Sequence, residues 1–290
     1  MSRSNAYSLF LGCIIPASQV FVEKAMALVA EKLELRVAGL KGASCCPDPE
    51  VSRLVGYDAW VRVAARNLAI AEEKGLPLCA ICNGCYDTLA KANRELAEDP
   101  QLHRQVNESL ALIKRSYRLR VEVKHIIEVL YDDVGVHRLQ GRVARRLRDV
   151  TAVTQPGCRL YREEEKRLPW KLDTLIETLG VQVLDYEARR LCCGVPSANV
   201  NLEFALQRRA QVKLQKIRAV KPDCIILVCP ACHDMLEKAQ LTLLEPEEQV
   251  PVLNLVEALA LSFGYSPEEI GMDIHRIQPT ELLSKLGLSL

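Results

Sequence analysis

Ten of the twelve cysteines in this 290-residue chain fall into two copies of one pattern, C-x31/33-CC-x35-C-x2-C. The first copy is Cys13, Cys45, Cys46, Cys82 and Cys85; the second is Cys158, Cys192, Cys193, Cys229 and Cys232. Thiolates are soft ligands and redox groups, so the chemistry on offer is metal binding or thiol exchange. A zinc ribbon needs four thiolates around one tetrahedral ion. Each copy here offers five, including a vicinal pair whose side chains point in different directions. An iron–sulfur cluster spreads its irons in space, so neighbouring cysteines can reach different irons without crowding. The pairs Cys45–Cys46 and Cys192–Cys193 therefore fit an extended polynuclear cluster.

The remaining chemistry-bearing residues are less patterned. Cys79, Cys82 and Cys85 begin the ferredoxin run C-x2-C-x2-C-x3-C-P, but Leu89 stands at the fourth position. Between the copies, Ile226 matches Cys79 and Pro77 matches Cys224, so Cys79 and Cys224 are expected to be buried, non-ligand residues. His233 follows Cys232 directly and is a candidate proton donor to a thiol; the plainer expectation is a solvated or helix-capping residue. His103, His125, His137 and His275 have no partner pattern and suit ordinary surface or core roles. Asp87 and Asp234, just beyond each CxxC, suit a helix N-terminus. The sequence holds no Gly-rich phosphate loop, GxSxG or HExxH, which leaves nicotinamide or flavin binding unsupported.

These residues need a scaffold that is built twice. A shift of 147 residues superposes "CNGCYDTL" (82–89) on "CPACHDML" (229–236), an internal duplication. The expected organisation is an N-terminal lobe over 1–100, a helical connector over 101–148 and a C-terminal lobe over 149–290. "AYSLFLGC" and "DVTAVTQPGC" read as strands ending on a cysteine, and "VQVLDY" (181–186) and "CIILV" (224–228) as further strands. Val22, Ala25, Met26, Val29 and Leu33 keep helical spacing, as do Leu172, Leu175, Ile176 and Leu179, with Gly180 a stop. Helices near 57–74 and 201–219 lead from each Cys-Cys pair to each CxxC. The fold class is α/β: two similar lobes with small parallel sheets, and ligands beyond the carboxyl ends of the strands. Arg138, Arg142, Arg145, Arg146 and Arg148 close the connector, as a solvated face or a docking patch.

A formal charge of +1 argues against bulk electrostatic binding of nucleic acid. No apolar run reaches the roughly 18 residues of a membrane span. The opening "MSRSNAYSLFLGC" carries Arg3, but its apolar run is too short for an export signal, so a cytoplasmic setting is expected. Without export, so many cysteines point to metal or redox chemistry rather than to disulfides.

The ten-cysteine pattern, with "FLGCIIP", "GASCCPDPE", "CAICNGCYDTL", "VKHIIEVLYDDVG" and "LCCGVPSANV", resembles the cysteine-rich CCG family, specifically the B subunit of heterodisulfide reductase and its relatives. The resemblance spans nearly the whole chain. It implies two non-cubane [4Fe–4S] clusters, one per five-cysteine set, with a small disulfide or thiol substrate between them. It also implies a ferredoxin-like C subunit as electron donor and a flavin-containing A subunit behind it. Methanogen members carry Gly-Cys-His where this chain has Gly157, Cys158 and Arg159, so the methanogen substrate does not follow. A second reading is an electron-relay subunit like those of lactate- or glycolate-oxidising complexes, which share the pattern. A zinc-binding scaffold is a third.

Overall fold

The computed structural model describes residues 5–162 and 166–290. Met1–Ser4, which include the Arg3 weighed against an export signal, and residues 163–165 lie outside them. The first lobe runs β1 (Ala6–Phe10), α1 (Val20–Lys32), β2 (Arg36–Gly39), α2 (Tyr57–Glu72), β3 (Leu78–Ala80), α3 (Asn83–Glu98), α4 (Pro100–Ala111) and β4 (Val123–His125). The second runs β5 (Thr151–Gln155), α5 (Leu168–Thr178), β6 (Gln182–Leu184), α6 (Gln211–Ala219), β7 (Cys224–Leu227), α7 (Pro230–Leu243), β8 (Val252–Asn254) and α8 (Leu255–Ser262). The strands form two all-parallel sheets in the orders β2-β1-β3-β4 and β6-β5-β7-β8. The identical order confirms the duplicated α/β architecture.

The apolar patterns explain the layers. Every residue of β3 and β7 is buried, as expected of parallel strands covered on both faces. Cys79 and Cys224 sit in these strands, both buried. In α1 the buried residues include Val22, Ala25, Met26 and Val29, one face of an amphipathic helix. Gly180 follows α5 with φ +97°, a backbone state that glycine reaches without steric cost. The helix expected over 201–219 is made of Leu202–Ala205, a π turn over Leu206–Ala210, and α6.

The connector differs from expectation. The stretch 101–148 is not helical throughout: it supplies β4, which completes the first sheet. The helical run after β4 (Ile126–Glu128, a π turn over Val129–Gly135, and Val136–Gln140) crosses to pack on α5 of the second lobe. Reciprocally, α8 crosses back to pack on α1. All eight residues of α8 are buried; burial of its Leu255, Val256, Leu259 and Leu261 contributes roughly 1.5–3 kcal/mol each. This exchange locks the lobes into one body. Of the terminal arginines, Arg142 pairs with Glu34, Arg138 reaches the Leu33 carbonyl, and Arg145 donates to the Leu261 carbonyl at 3.1 Å. These three clamp the crossing rather than merely facing solvent.

Candidate functional site

The parallel strands of each sheet end at one edge, and five of the patterned cysteines come off that edge in each lobe. Cys13 follows β1, Cys45 and Cys46 follow β2, and Cys82 follows β3; the second lobe repeats this with Cys158, Cys192–Cys193 and Cys229. Cys82 is the N-cap of α3 and Cys229 the N-cap of α7, so each CxxC straddles a helix N-terminus. The partial positive charge there favours a thiolate. Two glycines make room. A Cβ on Gly12 (φ +72°) would sit 2.7 Å from Cys85 Sγ. A Cβ on Gly157 (φ +84°) would sit 2.5 Å from Asn83 Nδ2 and 3.7 Å from Cys232 Sγ.

The ten thiols form one continuous row. Cys13 Sγ lies 3.7 Å from Cys45 Sγ, and Cys232 Sγ lies 3.3 Å from Cys193 Sγ. Cys46 interacts with Cys45 and Cys85, and Cys85 with Cys82. Cys82 meets Cys229 across the lobes, Cys229 meets Cys232, and Cys192 joins Cys193 to Cys158. Cys13 and Cys45 are exposed at one end of the row, whereas Cys46, Cys82, Cys85, Cys193, Cys229 and Cys232 are buried. Cys79 and Cys224 stand outside it, their thiols pushed up by burial rather than by any cysteine.

Every third thiol along the row from Cys13 to Cys158 is held low between neighbours that are raised. Hydrogen bonds from Cys45 and Cys85 hold Cys46 down to about 5, and those from Cys158 and Cys193 hold Cys192 down to about 2. Cys232 and Cys82 likewise keep Cys229 well below the ordinary thiol range. The donor set fits an iron–sulfur group: soft sulfur atoms converge from both lobes, five per set, more than one tetrahedral ion can take.

A cleft of about 60 Å³ opens between the lobes onto this row. The second set contributes Cys158, Cys192, Cys193, Cys229 and Cys232 to its wall, whereas the first set contributes Cys82. Of the residues between the CxxC cysteines, Asn83, Gly84 and Ala231 line it too, whereas Pro230 does not. Asn83 is buried and bridges the lobes, donating Nδ2 to the Pro156 carbonyl at 2.6 Å. Its Oδ1 lies 3.0 Å from His125 Nε2. Burial pushes His125 down to about 3, so the ring is neutral; with Nδ1 accepting from Ile127 N at 3.2 Å, Nε2 carries the proton toward Asn83.

Arg159 also lines the cleft, buried, and donates to Asp87 Oδ2 at 2.6 Å and Glu50 Oε1 at 3.1 Å of the other lobe. Asp87 thus serves as a partner for Arg159 rather than as a cap in the first turn of α3. Asp234 pairs with Arg276 at 3.0 Å. His233 is fully buried and is not among the residues lining the cleft. It is neither solvated nor a cap.

Sequence reasoning gave His125 only an ordinary surface or core role, did not single out Lys213, and noted Arg159 only as a departure. The signal for His125 was the repeated strand-and-cap motif: "KHIIEVL" (124–130) and "LNLVEAL" (253–259) carry the same capping box, with His125 and Asn254 as caps and Glu128 and Glu257 closing it.

A model of the cysteine-rich domain family, CCG, matches residues 7–90 and 152–237. The chain is similar to the B subunit of the ferredoxin/F(420)H(2)-dependent CoB-CoM heterodisulfide reductase of Methanosarcina acetivorans, 36% identical over 96% of each chain. It is also similar to the "8-methylmenaquinol:fumarate reductase membrane anchor subunit" of Wolinella succinogenes, 27% identical over 95% of this chain and 98% of that one. A Helicobacter pylori protein of solved structure shares the fold with a TM-score of 0.74 at 16% identity; the match covers 93% of this chain and 51% of that one. Among the described residues, no helix is long and apolar enough to cross a membrane. With both repeats matched and its cysteine row assembled where the two sheet edges meet, the chain belongs to the cysteine-rich CCG family, as a member of the heterodisulfide reductase B-subunit type.

Proposed function

We propose that this chain is the catalytic subunit of a heterodisulfide-reductase-type complex, cleaving or forming a sulfur–sulfur bond in the cleft between its lobes. The observation that carries this reading is the junction of the two cysteine sets, where Cys82 meets Cys229 across the lobes. In this proposal Cys13, Cys45, Cys46, Cys82 and Cys85 hold one non-cubane [4Fe–4S] cluster, and Cys158, Cys192, Cys193, Cys229 and Cys232 hold the other. When bound, the pair supplies two one-electron carriers and iron sites with affinity for sulfur, which suits the two-electron opening of a disulfide.

The chain's own residues prepare the cleft. Arg159 places a permanent guanidinium beside developing thiolate charge, and Asp87 and Glu50 fix its position. The N-terminal amides of α3 and α7 add partial positive charge from both sides. Pro49, Val195 and Pro196 give the opening an apolar rim that limits water. Asn83 holds the two cysteine-bearing edges in register. Electrons arrive from a ferredoxin-like C subunit fed by a flavin-containing A subunit, and the complex works in the cytoplasm on a small disulfide or thiol.

The Wolinella relative, named for a fumarate reductase, favours a second reading: a pure relay subunit whose chemistry happens elsewhere in its complex. Anaerobic turnover of disulfides by the assembled complex separates the two. A Cys193→Ser complex that keeps only the N-terminal iron is expected to lose disulfide turnover; near-normal turnover would establish the relay.

A further inference from the structure

Behind the cysteine row, on the side of α7 away from the cleft, four ionisable side chains are packed into the interior. His233 and Glu237 stand one turn apart on α7, so they share a helix face. Glu257 of α8 and His275 of the C-terminal segment meet them there. All four are buried.

Their hydrogen bonding is incomplete. His275 Nε2 lies 2.8 Å from Glu257 Oε1, but His275 Nδ1 has no hydrogen-bond partner among the described residues. Neither ring nitrogen of His233 has one either; its Nε2 comes within 3.4 Å of Glu237 Oε1 without the alignment of a hydrogen bond. One ligand atom each from His233, Glu237 and His275 falls within 4.8 Å of the others. Gln19, buried and contributed by the first lobe, carries an equally unpartnered Oε1. Gln19, Phe21 and Glu237 line an adjoining cavity of about 30 Å³. The Phe21 ring packs on both imidazoles, at 5.4 Å from His233 and 4.1 Å from His275.

We propose that His233, Glu237 and His275 are the protein ligands of a mononuclear Zn²⁺ site, distinct from the cysteine sets and independent of what those sets bind. Two imidazoles and a carboxylate are a donor set that zinc accepts. The 3.4 Å between His233 Nε2 and Glu237 Oε1 is close to the edge of a tetrahedron with ~2.0–2.1 Å legs. The Glu257 bond fixes the tautomer of His275, with the proton on Nε2 and the lone pair of Nδ1 free for the metal. Metal-bound imidazoles are commonly oriented in this way by a carboxylate behind them. The fourth position falls to water, for which the cavity beside Glu237 has room.

Simple His–Glu ion pairing accounts for less. It satisfies one nitrogen of His275 and leaves both nitrogens of His233 and Nδ1 of His275 without a protein partner among the described residues. A divalent cation engages unpartnered nitrogens of both rings at once and balances the two buried carboxylates. Its position suggests a staple. It would pin the C-terminal segment to the helix that carries Cys229 and Cys232, under a lid of Phe21 from the other lobe.

The test uses the full-length chain, purified anaerobically with its iron and then offered Zn²⁺. About one zinc per chain is expected beyond the iron, and its K-edge absorption spectrum should show nitrogen and oxygen neighbours with imidazole scattering and no sulfur shell. Glu237→Gln keeps the volume and should abolish that uptake with iron content unchanged. Glu257→Gln, which only frees the His275 tautomer, should weaken zinc affinity by roughly 10–100-fold. A wild-type protein that takes up no zinc, or holds it in a sulfur shell, overturns the proposal without any variant. Full zinc uptake in Glu237→Gln overturns it as well.

Discussion

The two lobes share strand order and cysteine spacing, yet each holds the loop before its Cys-Cys pair in its own way. In the first lobe, the buried Asn67 accepts from Ser44 N at 3.0 Å and donates to the Cys45 carbonyl at 3.1 Å. Arg66 reaches the Gly42 carbonyl at 2.8 Å from the solvent side. In the register that superposes the cysteines, Arg66 coincides with Lys213, which lies wholly inside the second lobe. Lys213 donates to the Ala188 carbonyl at 2.6 Å and to Gln155 Oε1 at 2.8 Å. The same register position thus supports the same loop, but in one lobe its charge sits in water and in the other it sits in the core beside the cysteines. Arg159 adds a second buried cation to that side. Duplication preserved the ligand spacing and let the electrostatic setting of each set diverge. The cleft, walled mostly by the second set, lies on the more cationic side.

The comparison breaks most sharply at the cysteines themselves. Cys45→Ser and Cys193→Ser should each cost the iron of one lobe, leaving about four of eight irons per chain. Iron and sulfide analysis of anaerobic protein measures this directly. Loss of all iron from either variant would mean that the row joined at Cys82 and Cys229 behaves as one site. The lobes would then be two halves of a single centre.

Next in size is the bridge between the lobes. Asn83→Ala removes the partner of the Pro156 carbonyl and of His125 Nε2, both buried. Each orphaned group costs roughly 1–3 kcal/mol, so the thermal midpoint should fall clearly while each lobe keeps its iron. An unchanged midpoint would show that the helix exchange alone sets the register of the lobes.

Much of this arrangement was legible in the sequence, and the failures have physical causes. The cysteine spacings survive because ligand positions tolerate little drift, so a single 147-residue shift exposes the repeat. That same shift hides β4 and β8. Their caps, His125 and Asn254, are 129 residues apart, 18 fewer than 147, because the first lobe carries the longer segment containing α4 between its CxxC and its fourth strand. At three residues each, β4 and β8 also give too short an apolar run to read as strands. His233 looked solvated because its burying partners, Phe21 and His275, come from distant parts of the chain. Sequence separation, not weak chemistry, concealed that cluster.

Lys213 sharpens the comparison through pH. Burial lowers its ammonium from 10.5 to about 8. Below pH 8 both folded and unfolded chains are protonated there, and the charge costs the folded state roughly 3 kcal/mol. Between about pH 8 and 10.5 the unfolded chain binds the extra proton, so this group makes stability rise with pH. The difference in unfolding free energy between the wild-type chain and Lys213→Met, both iron-free, should therefore shift in favour of wild type across that window. Arg66→Met, its half-buried counterpart, should show no such slope. Parallel denaturant titrations at several pH values would reveal it, and a flat difference for Lys213→Met would mean that the buried ammonium stays charged throughout.

The smallest expected effect tests which cysteines the repeat excludes. Cys79 is buried in β3 and pairs in register with Leu9 and Lys124, and no other cysteine perturbs its thiol. Its counterpart in the second lobe is Ile226, which cannot ligate iron. If the two lobes use equivalent ligand sets, Cys79 contributes only packing. Cys79→Ala would then leave both iron sites intact and cost about 1 kcal/mol for the lost sulfur and a small void. Iron content answers the ligand question, and the thermal midpoint answers the packing one. A Cys79→Ala protein with half its iron would make the first lobe a six-thiolate site, and the equivalence of the lobes would end at the fold.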